Sequence, residues 1–257
     1  MNLVLYEVKE RIGYITINRP EKRNALSHEL VTGLKDALDS AENDPTAKVI
    51  VLRANGEAFC AGADLAYLQQ LQNFSYEENL ADSNHLKELL LKIYQLQKVV
   101  IAQVQGHALA GGCGLATVCD FVFAVPEAKF GYTEVKIGFV PALVLVFLIR
   151  KIGEMKAKLL LLSGELVQGQ EAINLGLVNF LVSKDQLENE VFEFALNLIR
   201  NNSAHSMALT KRMIDQVQSM SMADALKYAA EMNAKARASD DCKKGIAAFL
   251  KKENLNW

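Results

Sequence analysis

Apolar residues recur with two different spacings along the chain. One spacing predicts β-strands, and the other predicts α-helices. Short apolar or alternating runs, the pattern of β-strands, cover segments 3–8, 14–17, 48–53, 99–105, 121–125 and 129–131. Segments 27–43 and 75–96 place apolar side chains three and four positions apart, as amphipathic helices do. Strands that alternate with helices predict an α/β fold. We expect Gly13 to form the turn between the first two strands.

After Pro141 the pattern becomes helical almost throughout. Helical segments are predicted at 141–152, 154–163, 169–175, 185–200, 203–218, 221–237 and 240–250. One apolar run, 178–182, predicts a further strand. The sequence therefore predicts an α/β core over residues 1–190 and a helical C-terminal region over residues 191–257.

The amino-acid composition and net charge argue against some classes of binding partner. The 257 residues are 51% hydrophobic and 23% charged, and the formal net charge is -2. This balance suits one large domain and gives no reason to expect a nucleic-acid or anionic membrane partner. Neither a membrane-spanning run nor a signal or transit pattern is present, so we expect a cytoplasmic protein.

The four cysteines are scattered and form no Cys-x-x-Cys pair, and the four histidines lie far apart. We expect buried, reduced thiols and no metal site. No phosphate-binding loop, dinucleotide fingerprint or nucleophile elbow occurs, which argues against nucleotide hydrolysis, nicotinamide chemistry and serine hydrolysis. The cysteines are Cys60, Cys113, Cys119 and Cys242.

Two short stretches, residues 58–64 and 106–114, share one construction. Each follows an apolar strand, breaks at an Ala-Gly step and leads into a helix, whose first amides have no partner inside the helix. If the turns face each other, the backbone N–H groups of Ala63 and Gly111 can both point at one oxygen, as in an oxyanion hole. The alternative is that the glycines only permit tight packing.

A carbonyl activated in this way acidifies its α-carbon, so the chemistry needs a proton carrier. Glu134 is the candidate, since it follows a short strand and precedes a largely apolar run. Desolvation there would raise the pKa of its carboxyl and suit it to moving protons near neutral pH. The alternative is a surface ion pair between Glu134 and Lys136 or Lys129.

A set of motifs in this chain resembles those of the crotonase, or enoyl-CoA hydratase/isomerase, superfamily, in the same order and over essentially the whole length. They are Asn18-Arg19-Pro20, Asn24-Ala25-Leu26, Ala58 to Leu65, Gly106 to Gly112, Cys119-Asp120 and Gly245 to Lys252. The resemblance implies a spiral core of ββα units with a helical C-terminal trimerisation region. It also implies a trimer, usually paired into a hexamer.

The same resemblance implies an acyl-CoA thioester as substrate. Its enolate oxygen would be held by the amides of Ala63 and Gly111, the pair reached above from the turns. Coenzyme A is then part of the substrate, and no separate cofactor is expected. The implied CoA-binding residues are Arg23, Ala25, Ala61, Ala63 and Leu65, with Phe249 and Lys252 in a C-terminal tail that often comes from a neighbouring subunit.

Three departures from the family pattern bear on mechanism. Two-carboxylate hydratases carry a glutamate where this chain has Gly114, whereas the second family glutamate is kept as Glu134. A lysine that usually contacts phosphate is replaced by Ala66. The loop after Pro141, usually Gly-x-Gly-Gly, reads Ala-Leu-Val-Leu at 142–145.

We therefore expect an enoyl-CoA hydratase-like lyase in which Glu134 serves as both base and acid. Tyr67, Tyr132 and Thr133 are conceivable helpers. A Δ3,Δ2-enoyl-CoA isomerase, an acyl-CoA decarboxylase and a non-catalytic acyl-CoA-binding subunit remain open. The Gly-Gly-x-Gly-Leu run and the segment 133–142 resemble a methylglutaconyl-CoA hydratase-like branch of leucine and terpenoid breakdown.

Overall fold

The structure, a computed structural model, describes residues 2–257. Nine strands form two sheets in this described part of the chain. They are β1 (Val4–Lys9), β2 (Ile12–Ile17), β3 (Val49–Ala54), β4 (Val99–Val104), β5 (Ala108–Leu109), β6 (Phe121–Ala124), β7 (Lys129–Gly131), β8 (Val167–Gln168) and β9 (Phe180–Leu181). The larger sheet has the order β1-β2-β3-β4-β6-β9, and the smaller one has the order β5-β7-β8.

Helices connect and cover the sheets. They are α1 (His28–Asn43), α2 (Leu65–Leu71), α3 (Tyr76–Gln95), α4 (Gly111–Thr117), α5 (Ala142–Ile152), α6 (Glu154–Ser163), α7 (Gly169–Leu175), α8 (Leu187–Asn201), α9 (Ala204–Val217), α10 (Met222–Ala238) and α11 (Asp240–Lys251). Two short 3-10 helices lie at Pro20–Lys22 and Glu134–Ile137. The predicted α/β class and the predicted helical stretch after Pro141 are confirmed.

Parallel pairing dominates the larger sheet. Only the β1–β2 pair is antiparallel, and β2, β3, β4, β6 and β9 run in one direction. Parallel neighbours require crossover connections, which the intervening helices supply. The carboxyl ends of β3 and β4 therefore lie at the same edge of the sheet, and the two Ala-Gly turns emerge there.

The predicted turn at Gly13 is wrong. Gly13 lies inside β2, opposite Val8, and the hairpin turns instead at Glu10 and Arg11, both of which have positive φ (51° and 64°). A two-residue hairpin needs left-handed backbone at both positions, and here non-glycine residues supply it. A Cβ at Gly13 would lie 2.8 Å from Ile50 Cδ1, so this glycine is needed for close packing.

Helix α8 packs against β3, β4 and β6 and contributes Val191, Ala195 and Ile199 to the main hydrophobic core. The predicted boundary between residues 190 and 191 falls inside this helix. A division of the chain into two domains stays a prediction. Helices α9 to α11 follow as a group, with α10 packed on both α9 and α11.

Candidate active site

The first turn is held against the loop before α1. Leu26 N donates to Gly62 O at 2.7 Å, and Asp64 N donates to Leu26 O at 2.8 Å, so Leu26 and Ala63 form a parallel bridge. Because both neighbours of Ala63 bond to Leu26, the N–H of Ala63 itself points to the opposite side. Ala63 is exposed, and its N–H has no acceptor within residues 2–257.

The second turn carries unusual backbone geometry. Ala110, the residue before α4, has φ 49° and ψ −123°. An alanine in such a sparsely populated region costs about 1–3 kcal/mol, and strain of this kind is concentrated at functional sites. Gly111 opens α4, and its amide also finds no acceptor in the described chain.

The two turns touch each other. A Cβ at Gly62 would lie 3.0 Å from Ala110 Cβ, and a Cβ at Gly112 would overlap the carbonyl oxygen of Cys60. Leu109 N donates to that same oxygen at 3.0 Å. The glycines therefore do permit tight packing, as one interpretation held. The packing places two unused backbone donors, those of Ala63 and Gly111, on adjacent turns.

Glu134 begins the 3-10 helix that follows β7. Ala110 N donates to Gly131 O at 2.8 Å, so the segment that leads to Glu134 starts against the second turn. The side-chain Oε2 of Glu134 is buried and has no hydrogen-bond partner among the described residues. Burial raises the pKa of this carboxyl, and a hydrogen bond from its own backbone N–H partly offsets the effect. These are the surroundings of a proton carrier rather than of a structural carboxylate.

The alternative that pairs Glu134 with a surface lysine is wrong. Lys136 Nζ forms its ion pair with Glu165, at 3.1 Å. No ion pair in the described chain includes Glu134 or Lys129.

An aliphatic side chain fills the space beside Gly114. A Cβ at Gly114 would overlap Val144 Cγ1, and Leu90 closes the same space at 3.9 Å. Val144 belongs to α5, which begins at Ala142 where the family pattern has a glycine-rich loop. The position of the missing glutamate is thus occupied by valine from another helix. The Ala-Leu-Val-Leu departure at 142–145 was the sequence signal for this, although it did not identify Val144.

The structure brings five of the seven expected CoA-binding residues together. Ala61 N donates to Arg23 O at 3.0 Å, and Ala25 precedes the Leu26 bridge to Ala63. Leu65, 78% exposed, starts α2 directly after Ala63. Asp64 caps that helix and pairs with Arg19 at 2.6 Å, a structural role.

Phe249 and Lys252 belong to a different element. Both are on or just after α11, and Phe249 is 82% exposed. Helix α11 packs on α10, and Ser203 donates to Asp241 in its first turn at 2.5 Å.

Two of the three conceivable helpers form hydrogen bonds to other side chains. The hydroxyl of Tyr67 donates to Asp82, and the hydroxyl of Tyr132 lies 2.8 Å from Thr117 Oγ1. All four cysteines are free, and three of them are buried, as expected. No cluster of three metal-ligating side chains occurs within residues 2–257. None of the helices described here is both long and apolar enough to cross a membrane.

Comparison with known proteins identifies the family of the chain. The family model described as enoyl-CoA hydratase/isomerase matches residues 7–257. A Thermus thermophilus protein whose name places it among the enoyl-CoA hydratases is 43% identical over 244 residues, which is 95% of this chain and 96% of that protein. The crotonyl-CoA hydratase of Syntrophomonas wolfei is 32% identical over 256 residues, 99% of this chain and 97% of that protein.

Solved structures show the same fold. An enoyl-CoA hydratase from Mycobacterium smegmatis superposes with a TM-score of 0.93 at 30% identity, covering 99% of this chain and 98% of that one. The α/β core with its helical C-terminal region is therefore the crotonase fold. The chain belongs to the enoyl-CoA hydratase/isomerase family.

Proposed function

We propose that this protein adds water across the double bond of 2-enoyl-CoA thioesters. The thioester oxygen would lie between the N–H groups of Ala63 and Gly111. Both donors are free of other partners, and their turns are in contact. A single donor of this kind lowers the barrier by about 3–4 kcal/mol, because it meets the charge that develops on the oxygen.

Glu134 performs the proton transfers in this mechanism. Its carboxylate takes a proton from water as the water oxygen bonds to C3, and the electron pair of the double bond moves onto the thioester oxygen as an enolate. The protonated carboxyl then delivers the proton to C2, which restores the carbonyl. The observation that carries the proposal is the partnerless Oε2 of Glu134, whose raised pKa favours both halves of this cycle.

A second activity, the Δ3,Δ2-enoyl-CoA isomerase reaction, is favoured by the contact between Gly114 and Val144. That contact leaves no room for a second carboxylate. One carboxylate is sufficient to move a proton between C2 and C4, since no water has to be held. Glu134 would remove the proton from C2 of a 3-enoyl thioester and return it to C4.

The proposed binding site for the CoA part of the substrate consists of residues around the two turns and in the C-terminal tail. Arg23, Ala25, Ala61, Ala63 and Leu65 would line the CoA arm, with Leu65 exposed for contact with an apolar or aromatic ligand face. Phe249 and Lys252 would complete the CoA site. Resemblance to a methylglutaconyl-CoA hydratase-like branch adds 3-methylglutaconyl-CoA to the substrates to be tested.

The test is a set of steady-state assays on crotonyl-, 3-methylcrotonyl-, 3-methylglutaconyl- and 3-hexenoyl-CoA. Hydration removes the ultraviolet absorbance of the conjugated enoyl thioester, and isomerisation of the 3-enoyl compound creates it. Glu134→Gln should lower kcat on the order of 10²–10⁴-fold, which is the usual contribution of a general acid–base group. Glu127→Gln is the matched control, because Glu127 is exposed and seven positions earlier in the same part of the chain.

A loss of ultraviolet absorbance with the 2-enoyl substrates supports the hydratase assignment. A gain of absorbance with 3-hexenoyl-CoA supports the isomerase assignment. Near-normal turnover by Glu134→Gln would remove Glu134 from the mechanism. Binding of the CoA esters without any absorbance change would leave the chain as a non-catalytic acyl-CoA-binding subunit.

A further inference from the structure

A tyrosine hydroxyl is buried two residues before Glu134. Tyr132 is 0% exposed, and its hydroxyl lies 2.8 Å from Oγ1 of Thr117, which is itself buried. Leaving a hydroxyl buried without a partner costs free energy, so each of these groups stabilises the other. The buried thiol of Cys113 lies against both hydroxyls as a weaker polar neighbour.

This hydrogen bond joins the two segments that hold the proposed chemistry. Tyr132 belongs to the segment 131–134 that leads into Glu134, whereas Thr117 ends α4, the helix that begins with the Gly111 amide. Lys151 Nζ donates to Thr117 O at 2.9 Å and holds that end of α4 from a third element, α5. Thr117 is therefore anchored, and the tyrosine is tied to it.

The Glu134 side chain has no hydrogen bond to any other residue of the described chain. Its Oε2 has no partner in the described chain, and its neighbour Thr133 makes no side-chain cap to the 3-10 helix. Tyr132 and Glu134 are close enough to interact. Burial chiefly raises the pKa of Tyr132 well above its ordinary value, the neighbouring Cys113 thiol raises it further, and the charge of Glu134 adds a smaller contribution. The direction of the Glu134 side chain is thus set largely by how the backbone before it is fixed.

We propose that Tyr132 is a positioning residue, and that its hydrogen bond to Thr117 sets the placement of the Glu134 carboxylate relative to the amides of Ala63 and Gly111. This inference rests on the proposed function and names a residue that acts through Glu134. A carboxylate displaced by about 1 Å from its productive position is expected to lose on the order of 10²-fold in rate.

The experiment compares Tyr132→Phe, Thr117→Val and the double variant. Each single substitution leaves one buried hydroxyl with only the Cys113 thiol as a weak partner. The double variant replaces both hydroxyls by apolar groups of similar shape and should regain most of the lost stability. We expect kcat for the preferred enoyl-CoA to fall roughly 10- to 100-fold in all three variants, with KM changed less than about threefold. Thr117→Ser, which keeps the hydroxyl, should retain kcat.

A double variant that regains both stability and wild-type kcat would overturn the inference, because the pair would then be only structural. Wild-type kcat in Tyr132→Phe would overturn it as well. A kcat that stays low in the double variant while urea unfolding returns towards wild type supports it.

A second readout separates this inference from the proposed function. Exchange of the C2 hydrogens of butyryl-CoA with deuterium from solvent requires only that Glu134 break and re-form one C–H bond, with the electron pair held on the thioester oxygen. If the wild type does not hydrate or isomerise any substrate but does exchange, the proposed function fails, and slower exchange in the three variants still supports positioning. Equal exchange in wild type and variants, or none in any of them, overturns the inference.

Discussion

The burial of Glu134 predicts how the activity of the enzyme changes with pH. Burial raises the pKa of its carboxyl above the ordinary 4.5, so the proton is held to higher pH than in the unfolded chain. Hydration needs the ionised form as base, and kcat/KM should therefore rise with pH through a midpoint above 4.5. A pH profile of kcat/KM measures this, and a midpoint at or below that value contradicts it.

The raised pKa of Glu134 also changes how the stability of the fold depends on pH. A group whose pKa is raised on folding stabilises the fold in its protonated form, and that stability is lost as the pH rises through the folded-state pKa. Glu134→Gln removes the buried charge and should be at least as stable as wild type at pH 7, with the difference shrinking towards pH 4. Urea unfolding of both proteins at the two pH values tests this, with Glu127→Gln as control. A large loss of stability in Glu134→Gln would show that the carboxylate is structural.

The packing of Gly114 against Val144 can be tested by substitution of both residues. Gly114→Ala introduces a methyl group that overlaps Val144 Cγ1, and overpacking of this kind costs about 1–3 kcal/mol. Val144→Ala makes room for that methyl group, so the double variant should lose less stability than the sum of the two single losses. Urea unfolding of the four proteins gives the coupling energy. Additive losses would mean that the two residues are not in contact.

At the scale of single residues, local sequence pattern was enough to select the candidate site. Ala63 follows one Ala-Gly step, Gly111 is the glycine of another, and Glu134 lies between a strand and a largely apolar run. The valine beside Gly114 and the threonine beside Tyr132 could not be identified in the same way. Each lies on a different element from its partner, and only the tertiary fold brings them together.

Among the elements, four helices (α1, α4, α7 and α8) end on buried or half-buried lysine side chains that come from elsewhere in the chain. At the end of α7 the lysine is Lys156, which donates to Asn174 O and Leu175 O. Lys98 Nζ donates to Ala41 O and Asp44 O at the end of α1, both at 2.6 Å. In the same way, Lys48 donates to the end of α8 and Lys151 to the end of α4. A positive charge at a helix C-terminus satisfies carbonyls that have no partner inside the helix.

Replacing any one of these lysines by methionine should cost about 1.5–3 kcal/mol, because carbonyls lose a charged donor. Lys158→Met is the control. Lys158 is exposed and pairs with Glu154 on the same helix, so its loss should cost at most about 0.5 kcal/mol. Equal effects of Lys98→Met and Lys158→Met on urea unfolding would show that the capping contacts add nothing.

Helices were easier to predict than short strands for a physical reason. The apolar spacing of α1 and α3 lies within each helix, and each helix begins at a serine, Ser27 or Ser75, whose side chain accepts a hydrogen bond from its first turn. Strands β5 and β8 have two residues each and exist only because they pair with β7. No periodicity can be read from two residues, so these strands are not visible in the sequence.

At the scale of the whole molecule, helices α10 and α11 expose large apolar side chains to solvent in a single chain. The large exposed apolar side chains of α10 and α11 are Met222, Leu226, Ile246, Phe249 and Leu250. Apolar side chains concentrated on one part of a surface mark an interaction site. Together with the family resemblance, they lead us to expect an assembly of three or six copies of the 28.4 kDa chain. Light scattering at micromolar concentration measures this mass, and a monomer would contradict the expectation.

Such an assembly would let one subunit complete the CoA site of another. Phe249 and Lys252 lie on or just after α11, and no hydrogen bond or ion pair of the described chain joins them to Arg23 or to the turn at Ala63. If Lys252 binds phosphate across an interface, Lys252→Ala should raise KM for the CoA ester roughly fivefold and leave kcat unchanged. Lys251→Ala, which changes the adjacent exposed lysine, is the control.

Mixing two defective chains distinguishes a site shared between subunits from a site within one chain. Glu134→Gln chains lack the proton carrier but keep Lys252, and Lys252→Ala chains have the reverse defect. When they are co-expressed in equal amounts, about a quarter of the sites in a mixed ring should combine Glu134 of one chain with Lys252 of its neighbour. Turnover at low substrate concentration should then show a fraction with both the wild-type kcat and the wild-type KM, a combination that neither variant shows alone. If Lys252 acts on its own chain, every mixed site retains one defect, and that combination does not appear.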